Sequence, residues 1–212
     1  MRFISTQNRR TIITLFLVLA IISEMGAYVA LTPRPTQQFF QFYVLGKNGL
    51  ARDYYPQNNP DLRLASNISW YLGVTNFMGN MQLVEIRLKL GNETTTPPND
   101  TTDTPTSAPE LLAFDRALID NETWEFPFVW SITNDTTTAG TTRILTVQIN
   151  NQTYQTSDWS ALKGYNFRLI LELWVWQGDT NTFEFGWGNS AGRRTAWLQL
   201  WFNMSSIGPP PP

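Results

Sequence analysis

Carboxylates clustered around one tryptophan are the first side chains whose spacing could do chemistry. Glu122 and Glu125 flank Trp124, and Asp115 and Asp120 lie just before them. Glycoside hydrolysis needs two carboxyl groups about 5–10 Å apart in a cleft. Glu125 falls on the outward face of a strand whose tryptophans point inward, so we interpret these acids as solvated surface residues. They also lack the Asp-x-Asp-x-Asp-Gly spacing of a calcium loop, and no metal site is predicted.

The residue types that are missing exclude several other mechanisms. The 212-residue chain has no Cys and no His. It therefore has no thiolate nucleophile, disulfide, imidazole base or His/Cys metal site. Its 15 basic and 17 acidic residues give a net charge of -2, which is too little positive potential to gather nucleic acid. The sequence predicts a protein that is not an enzyme, has no cofactor and does not bind nucleic acid.

Nine tryptophans are the main candidates for a binding surface. Trp174 and Trp176 fall on the outward face of a strand, and Trp187 precedes a loop that contains Arg193 and Arg194. Exposed aromatics with nearby polar groups form stacking platforms for sugars, whereas Trp and Arg are also the usual anchors of protein interfaces. The arginine pair could instead contact anionic lipid or surface polymer. The competing interpretation is that these tryptophans lie under an edge loop or against the stem.

The elements that must position these side chains are strands, because apolar and polar residues alternate with a period of two. In one strand Leu145, Val147 and Ile149 are predicted to face inward. About nine strands and no amphipathic helix predict an all-β domain over residues 39–207, an antiparallel two-sheet β-sandwich. The predicted strands are residues 39–45, 67–76, 82–90, 111–119, 124–132, 145–149, 167–175, 183–187 and 197–204.

Three segments interrupt or flank this pattern. Residues 92–109 are rich in Thr and Pro and have too little apolar surface to order themselves, so they are predicted to be a long, disordered and solvated loop. Residues 32–38 are predicted to be a short stem. Residues 208–212 are predicted to be a stiff polyproline tail.

An apolar stretch at residues 11–31 has about the length that crosses a bilayer. The arginine-rich residues 1–10 before it should stay in the cytoplasm, which places the C-terminal domain outside the cell membrane. A cleaved signal peptide has similar features and remains the alternative. Glu24 is the one charged residue in the stretch. It is either an interfacial residue or an intramembrane contact to a partner helix.

Seven Asn-x-Ser/Thr sequons all follow the apolar stretch, on the side predicted to be external. They predict N-glycosylation at exposed loops or strand ends. A Cys-free, sequon-dense and Thr-rich composition favours an archaeal surface protein. The acceptor residues are Asn67, Asn92, Asn99, Asn121, Asn134, Asn151 and Asn203.

Several stretches of the chain carry a resemblance to a known family. They are Phe42-Tyr-Val-Leu-Gly46, Gly73-Val-Thr-Asn76, Val84-Glu-Ile-Arg-Leu88 and Glu122-Thr-Trp-Glu-Phe-Pro-Phe128, with closing strands at 167–173 and 197–202. These stretches resemble an archaeal membrane-associated domain-of-unknown-function family, the one numbered 1616. The resemblance covers most of residues 39–204, and the Thr/Pro-rich insertion after Gly91 departs from it. It implies an extracytoplasmic β domain on a membrane anchor and supplies no catalytic residues.

Together these features predict a non-enzymatic, membrane-anchored cell-surface glycoprotein with a structural or assembly role, such as an accessory subunit of a membrane complex. Its predicted partners are the membrane and either another protein or a second copy of the chain. The alternative is a carbohydrate-binding surface module that uses exposed tryptophans, in which case a surface glycan is a further partner.

Overall fold

The computed structural model of the chain describes residues 6–31, 37–156, 159–188 and 192–204. The chain divides into two compact units, Met1–Gln37 and Gln38–Pro212. Most of the predicted stem and the whole polyproline tail lie outside the described residues.

The first unit contains a single described helix, α1, which runs from Thr6 to Leu31. Its sequence is dominated by Leu, Ile, Val and Ala without proline, which suits an uninterrupted helix. The stretch Thr11–Tyr28 is apolar and long enough to cross a membrane, and none of it is buried. A signal sequence would have the same properties. The predicted apolar helix is therefore confirmed, and it begins five residues before residue 11.

The second unit is an all-β sandwich, as predicted, with twelve strands in its described part. The three strands that were not predicted, β2, β8 and β9, have only two to four residues each. Runs this short cannot show an alternating pattern. The strands are β1 (Phe39–Leu45), β2 (Asp61–Leu62), β3 (Ile68–Phe77), β4 (Gln82–Gly91), β5 (Glu110–Leu118), β6 (Thr123–Thr138), β7 (Thr141–Ile149), β8 (Gln152–Gln155), β9 (Ser160–Leu162), β10 (Phe167–Gln177), β11 (Thr182–Phe185) and β12 (Trp197–Met204).

Two six-stranded sheets form the sandwich. Sheet 1 has the order β1-β3-β6-β7-β8, with β9 beside β7. Sheet 2 has the order β2-β12-β10-β4-β5, with β11 beside β10. The strand pairs are antiparallel except for the short parallel pairing of β12 with β2. β10 is central in sheet 2, because it pairs with β4, β11 and β12.

The core lies between the sheets and is built from the side chains that the alternation predicted to face inward. In sheet 1 the Trp70 ring packs on Phe128 and Trp130, with ring centroids 6.0 Å and 5.2 Å apart. Trp130 also contacts Phe202 of sheet 2 at 5.2 Å. Burying each large apolar side chain contributes about 1.5–3 kcal/mol, so these contacts hold the sheets together. The inward residues of β4 and β10 are fully buried, namely Val84, Ile86, Leu88, Leu90, Phe167, Leu169, Leu171, Leu173 and Val175.

An irregularity between β6 and β7 changes which residues of β7 face the core. The register shifts on either side of Asn134. Ile144 is fully buried, whereas Leu145 is only half-buried. The prediction that Leu145 faces inward was wrong, because the pairing skips Leu145 and the buried face of β7 passes from Ile144 to Val147.

The Thr/Pro-rich segment, residues 92–109, is ordered and is attached to the outer face of sheet 2 by a few buried residues, while most of its residues are exposed. Thr95, Thr106 and Ala108 are buried, and Asn99 forms a β-bridge with Thr104. The Asn99 side chain accepts hydrogen bonds from the backbone N–H groups of Thr101 and Thr102. The prediction that this loop is disordered was wrong because it weighed apolar surface alone, although most of the loop is exposed to solvent as predicted. Hydroxyl and amide side chains form hydrogen bonds with the backbone N–H groups of this segment.

Candidate functional site

An ion pair is buried where the segment 92–109 covers sheet 2. Lys89 of β4 and Glu172 of β10 lie 2.9 Å apart and are 6% and 0% exposed. One oxygen of Glu172 accepts the backbone N–H of Thr106 at 2.7 Å, and the other accepts the Trp174 indole N–H at 3.0 Å. Lys89 also donates to the Thr106 carbonyl at 2.9 Å. Both charges are hydrogen-bonded as well as paired, so this network fastens the segment to the sheet.

Trp174 and Trp176 lie on the outer face, as predicted, but both are half-buried. The guanidinium carbon of Arg87 lies 3.6 Å from the centre of the Trp174 ring. Arg87 is held there by Glu85 at 2.6 Å and Glu110 at 3.3 Å. Trp176 packs edge-on against Phe183 at 5.2 Å. A cation already occupies one face of Trp174, so this pair is not an open stacking platform.

Trp187 and Arg193 make contacts within the sandwich, whereas Arg194 lies at its surface. Trp187 is only 6% exposed and packs edge-on against Phe40 at 5.1 Å, so the prediction that it belongs to a contact surface was wrong. Its place in the core follows from the alternation that also buries Phe185. Arg193 donates two hydrogen bonds to the Phe185 carbonyl and pairs with Glu184 at 3.0 Å. Arg194 is exposed.

The carboxylates Asp120, Glu122 and Glu125 around Trp124 each have a hydrogen-bond partner within the domain. Glu122 accepts hydrogen bonds from Arg116 at 2.9 Å and from the backbone N–H of Ile119 at 3.0 Å. Asp120 accepts the backbone N–H of Gly79 at 2.8 Å. Within the described part of the chain, no three acidic side chains are grouped to hold a metal ion.

Glu125 accepts a hydrogen bond from the Tyr43 hydroxyl at 2.9 Å. The Tyr43 ring lies across Gly73, where a Cβ atom would come within 2.1 Å of the ring. Burial, followed by the hydrogen bond and the charge of Glu125, raises the pKa of Tyr43 to about 12. Because Gly73 has no side chain, the Tyr43 ring can lie over it on the outer face of sheet 1. The hydrogen bond to Glu125 holds the ring in place.

The seven sequon asparagines fall into two groups by exposure. Asn92 and Asn203 are half-buried, and their side-chain Nδ2 atoms donate to the Ser160 carbonyl at 2.7 Å and to Asp61 at 2.6 Å. N-linked glycans attach to this nitrogen and need space around it. The other five are exposed, namely Asn67, Asn99, Asn121, Asn134 and Asn151.

A groove along β12 was missed by the sequence reasoning. It lies between β12 and the segment that joins β1 to β2, has a volume of about 320 Å³, and is lined in part by Trp201, which is exposed. The alternation in β10 already places Arg168 on the same outer face as Trp174. Its pairing with Trp201, however, depends on the register between β10 and β12, which the sequence does not reveal. The groove residues are Tyr54, Tyr55, Asn58, Gln199, Leu200 and Trp201.

No family model and no curated protein matches the chain. A solved structure of Spo0M, a sporulation control protein from Bacillus subtilis, is similar with a TM-score of 0.37 and 9% sequence identity. The match covers 79% of this chain and 50% of that one, so the chain spans about half the length of Spo0M. Likeness at this level carries no functional information. The resemblance to the archaeal family numbered 1616 stays a prediction.

Proposed function

We propose that the protein is a non-enzymatic, membrane-anchored cell-surface protein with a structural or assembly role. The observation that carries the proposal is α1, in which the apolar stretch Thr11–Tyr28 has no buried residue. Twelve large apolar side chains of α1 are exposed. They would be costly in water and are stabilised in a bilayer. A β-sandwich large enough to have its own core follows this helix in the chain.

The predicted orientation places the sandwich outside the cell. The arginines Arg2, Arg9 and Arg10 precede the apolar stretch Thr11–Tyr28, and the seven sequons follow it. Five of the sequon asparagines are exposed, as acceptors of glycans must be. These features support a glycosylated extracytoplasmic domain, in keeping with the resemblance to an archaeal membrane-associated family.

The chemistry of the surface carboxylates supports a non-catalytic role. Glu122 forms an ion pair with Arg116, and Glu125 accepts a hydrogen bond from the Tyr43 hydroxyl. General acid–base catalysis requires a carboxyl group that is free to exchange a proton with a substrate in a cleft. An assembly role is supported by Glu24, because a carboxylate on an apolar helix favours a polar contact with a partner helix.

The test starts from the mature protein in its own membrane. Mass spectrometry should find an N-terminus before α1, and a protease added outside the cell should digest the sandwich. A mature N-terminus after Leu31 would overturn the anchor. Purification in mild detergent should recover a complex, and a Glu24→Leu variant should lose partners that a matched Ser23→Leu variant retains. Purification of a lone monomer would overturn the assembly role.

A further inference from the structure

A second concavity lies next to the groove along β12, and charged side chains line it. Residues 54–59 separate the two, since Tyr55 lines the groove whereas Gln57 lines the concavity. This β2 pocket has a volume of about 460 Å³. Its polar lining residues are Gln57, Asn59, Asp61, Arg63 and Ser66.

Asp61 and Arg63 give the β2 pocket two opposite charges that do not form an ion pair with each other. Asp61 is exposed, and its Oδ1 atom accepts the Asn203 side-chain N–H at 2.6 Å. Arg63 is half-buried, and within the described part of the chain its guanidinium has no carboxylate at ion-pair distance. Because both groups keep unused hydrogen-bonding positions, a ligand between them can donate to the carboxylate and accept from the guanidinium.

The other polar residues of the β2 pocket are held in place by the backbone of β2. The backbone N–H of Asp61 donates to Asn59 Oδ1 at 3.0 Å, and that of Arg63 donates to the Ser66 hydroxyl at 3.3 Å. β2 is itself fixed to β12, where Asp61 pairs with Asn203. The amide NH₂ group of Asn59 and the hydroxyl proton of Ser66 are left to donate to a ligand. A site that is already arranged in this way loses little freedom on binding.

The groove along β12 continues this site with an aromatic surface. Trp201 lies two residues before Asn203, the β12 residue that pairs with Asp61, and so about 7 Å from it along the strand. Arg168 of β10 packs 4.7 Å from the Trp201 ring centre, yet the tryptophan is 39% exposed. Since β10 and β2 lie on opposite sides of β12, the ring face turned away from Arg168 is directed to the side of the β2 pocket.

We propose that the β2 pocket and the groove along β12 together bind a neutral oligosaccharide. Sugar hydroxyl groups are both donors and acceptors, and one sugar residue places them between Asp61 and Arg63. The next sugar residue stacks its C–H face on the open face of Trp201. The two charges of the pocket sum to zero, so an uncharged ligand leaves neither sign in excess. An amino acid zwitterion would satisfy both charges but would leave the tryptophan unused.

The test is isothermal titration calorimetry on the full chain, in micelles of a detergent without a sugar headgroup. The probes are linear tetramers of glucose, mannose and N-acetylglucosamine, their monosaccharides, and glycine as the zwitterion. At least one tetramer should bind saturably, and at least about tenfold more tightly than its monosaccharide and than glycine. The absence of saturable binding of any tetramer, or glycine binding as tight as that of the best tetramer, would overturn the proposal. It concerns the sandwich alone, so a cleaved anchor would leave it standing.

Variants separate the contributions of the pocket and the groove. Asp61→Asn keeps the oxygen that accepts from Asn203 but removes the charge, and Arg63→Met keeps the length of the side chain. Each should weaken binding of the best tetramer by at least about tenfold, and so should Trp201→Ala.

The matched controls are Arg116→Met, at an exposed arginine of β5, and Trp176→Ala, at a half-buried tryptophan elsewhere on sheet 2. Both should bind the tetramer like the parent chain. Circular dichroism checks that each variant folds, and Asp61→Asn keeps the test decisive if Arg63→Met does not fold. Unchanged binding by Asp61→Asn would refute the role of the pocket, and unchanged binding by Trp201→Ala would refute that of the groove.

Discussion

The buried pair of Lys89 and Glu172 allows the packing of the Thr/Pro-rich segment to be tested. Glu172→Leu removes the carboxylate while Lys89 stays in place under the segment. The ammonium group then loses its counter-charge, and the backbone N–H of Thr106 loses its acceptor. Removing one member of a buried ion pair costs about 3–5 kcal/mol.

The size of the effect can be bounded from the structure. Lys89 keeps its hydrogen bond to the Thr106 carbonyl, so we expect the lower part of that range, about 3 kcal/mol. For a domain of this length, such a loss lowers the melting temperature by about 6–12 °C. The double variant Lys89→Met/Glu172→Leu should recover about 1–2 kcal/mol, because no uncompensated charge remains.

Urea denaturation followed by far-ultraviolet circular dichroism measures these changes, and hydrogen–deuterium exchange shows where they occur. Amides of residues 92–109 should exchange faster in Glu172→Leu, while those of sheet 1 should not. Glu110→Gln is the matched control, because this acid pairs with Arg87 at a more exposed position and should cost less than about 1 kcal/mol. The reasoning fails if Glu172→Leu is no more costly than this control. It also fails if the double variant is less stable than the single one.

Three further results are expected. The pKa of Tyr43 is raised to about 12, chiefly by burial and then by Glu125, so above pH 10 the folded state keeps a proton that the unfolded chain releases. Urea midpoints should therefore fall between pH 10 and 12, and a Tyr43→Phe variant with an equally steep fall would contradict this. Leu171→Ala should cost about 2–5 kcal/mol in urea denaturation, because the residue is fully buried; a cost below about 1 kcal/mol would argue against close packing there. Glycopeptide mapping should find higher occupancy at the five exposed sequons than at Asn92 and Asn203, and the reverse order would refute the role of exposure.

The sandwich could be predicted because alternation depends only on neighbours along the chain. In β4 and β10, the inward residues follow the period of two and are fully buried. The period of two fails where a bulge changes which face of a strand meets the core. The bulge at Asn134 exchanges the roles of Ile144 and Leu145, and a bulge leaves no reliable signal in composition.

The outer face of sheet 2 could not be predicted because its contacts are distant in sequence. Glu172 binds the backbone of Thr106, 66 positions away. Ile170 and Glu172 are fully buried on the side that alternation assigns to solvent. Arg168 of β10 and Trp201 of β12 are likewise brought together by strand pairing and not by closeness in sequence. The local pattern of residues thus indicates which face of a strand is apolar, but it does not indicate which segment covers the other face.

The burial of β10 on both faces affects how this part of the domain opens to solvent. From Phe167 to Leu173 no side chain reaches solvent, since one face meets sheet 1 and the other meets the segment 92–109 and its neighbouring strands. A strand shielded on both sides opens only when the whole domain unfolds. Its amide protons should therefore report the global free energy of unfolding. The edge strands β1 and β5 should release theirs through smaller, local openings.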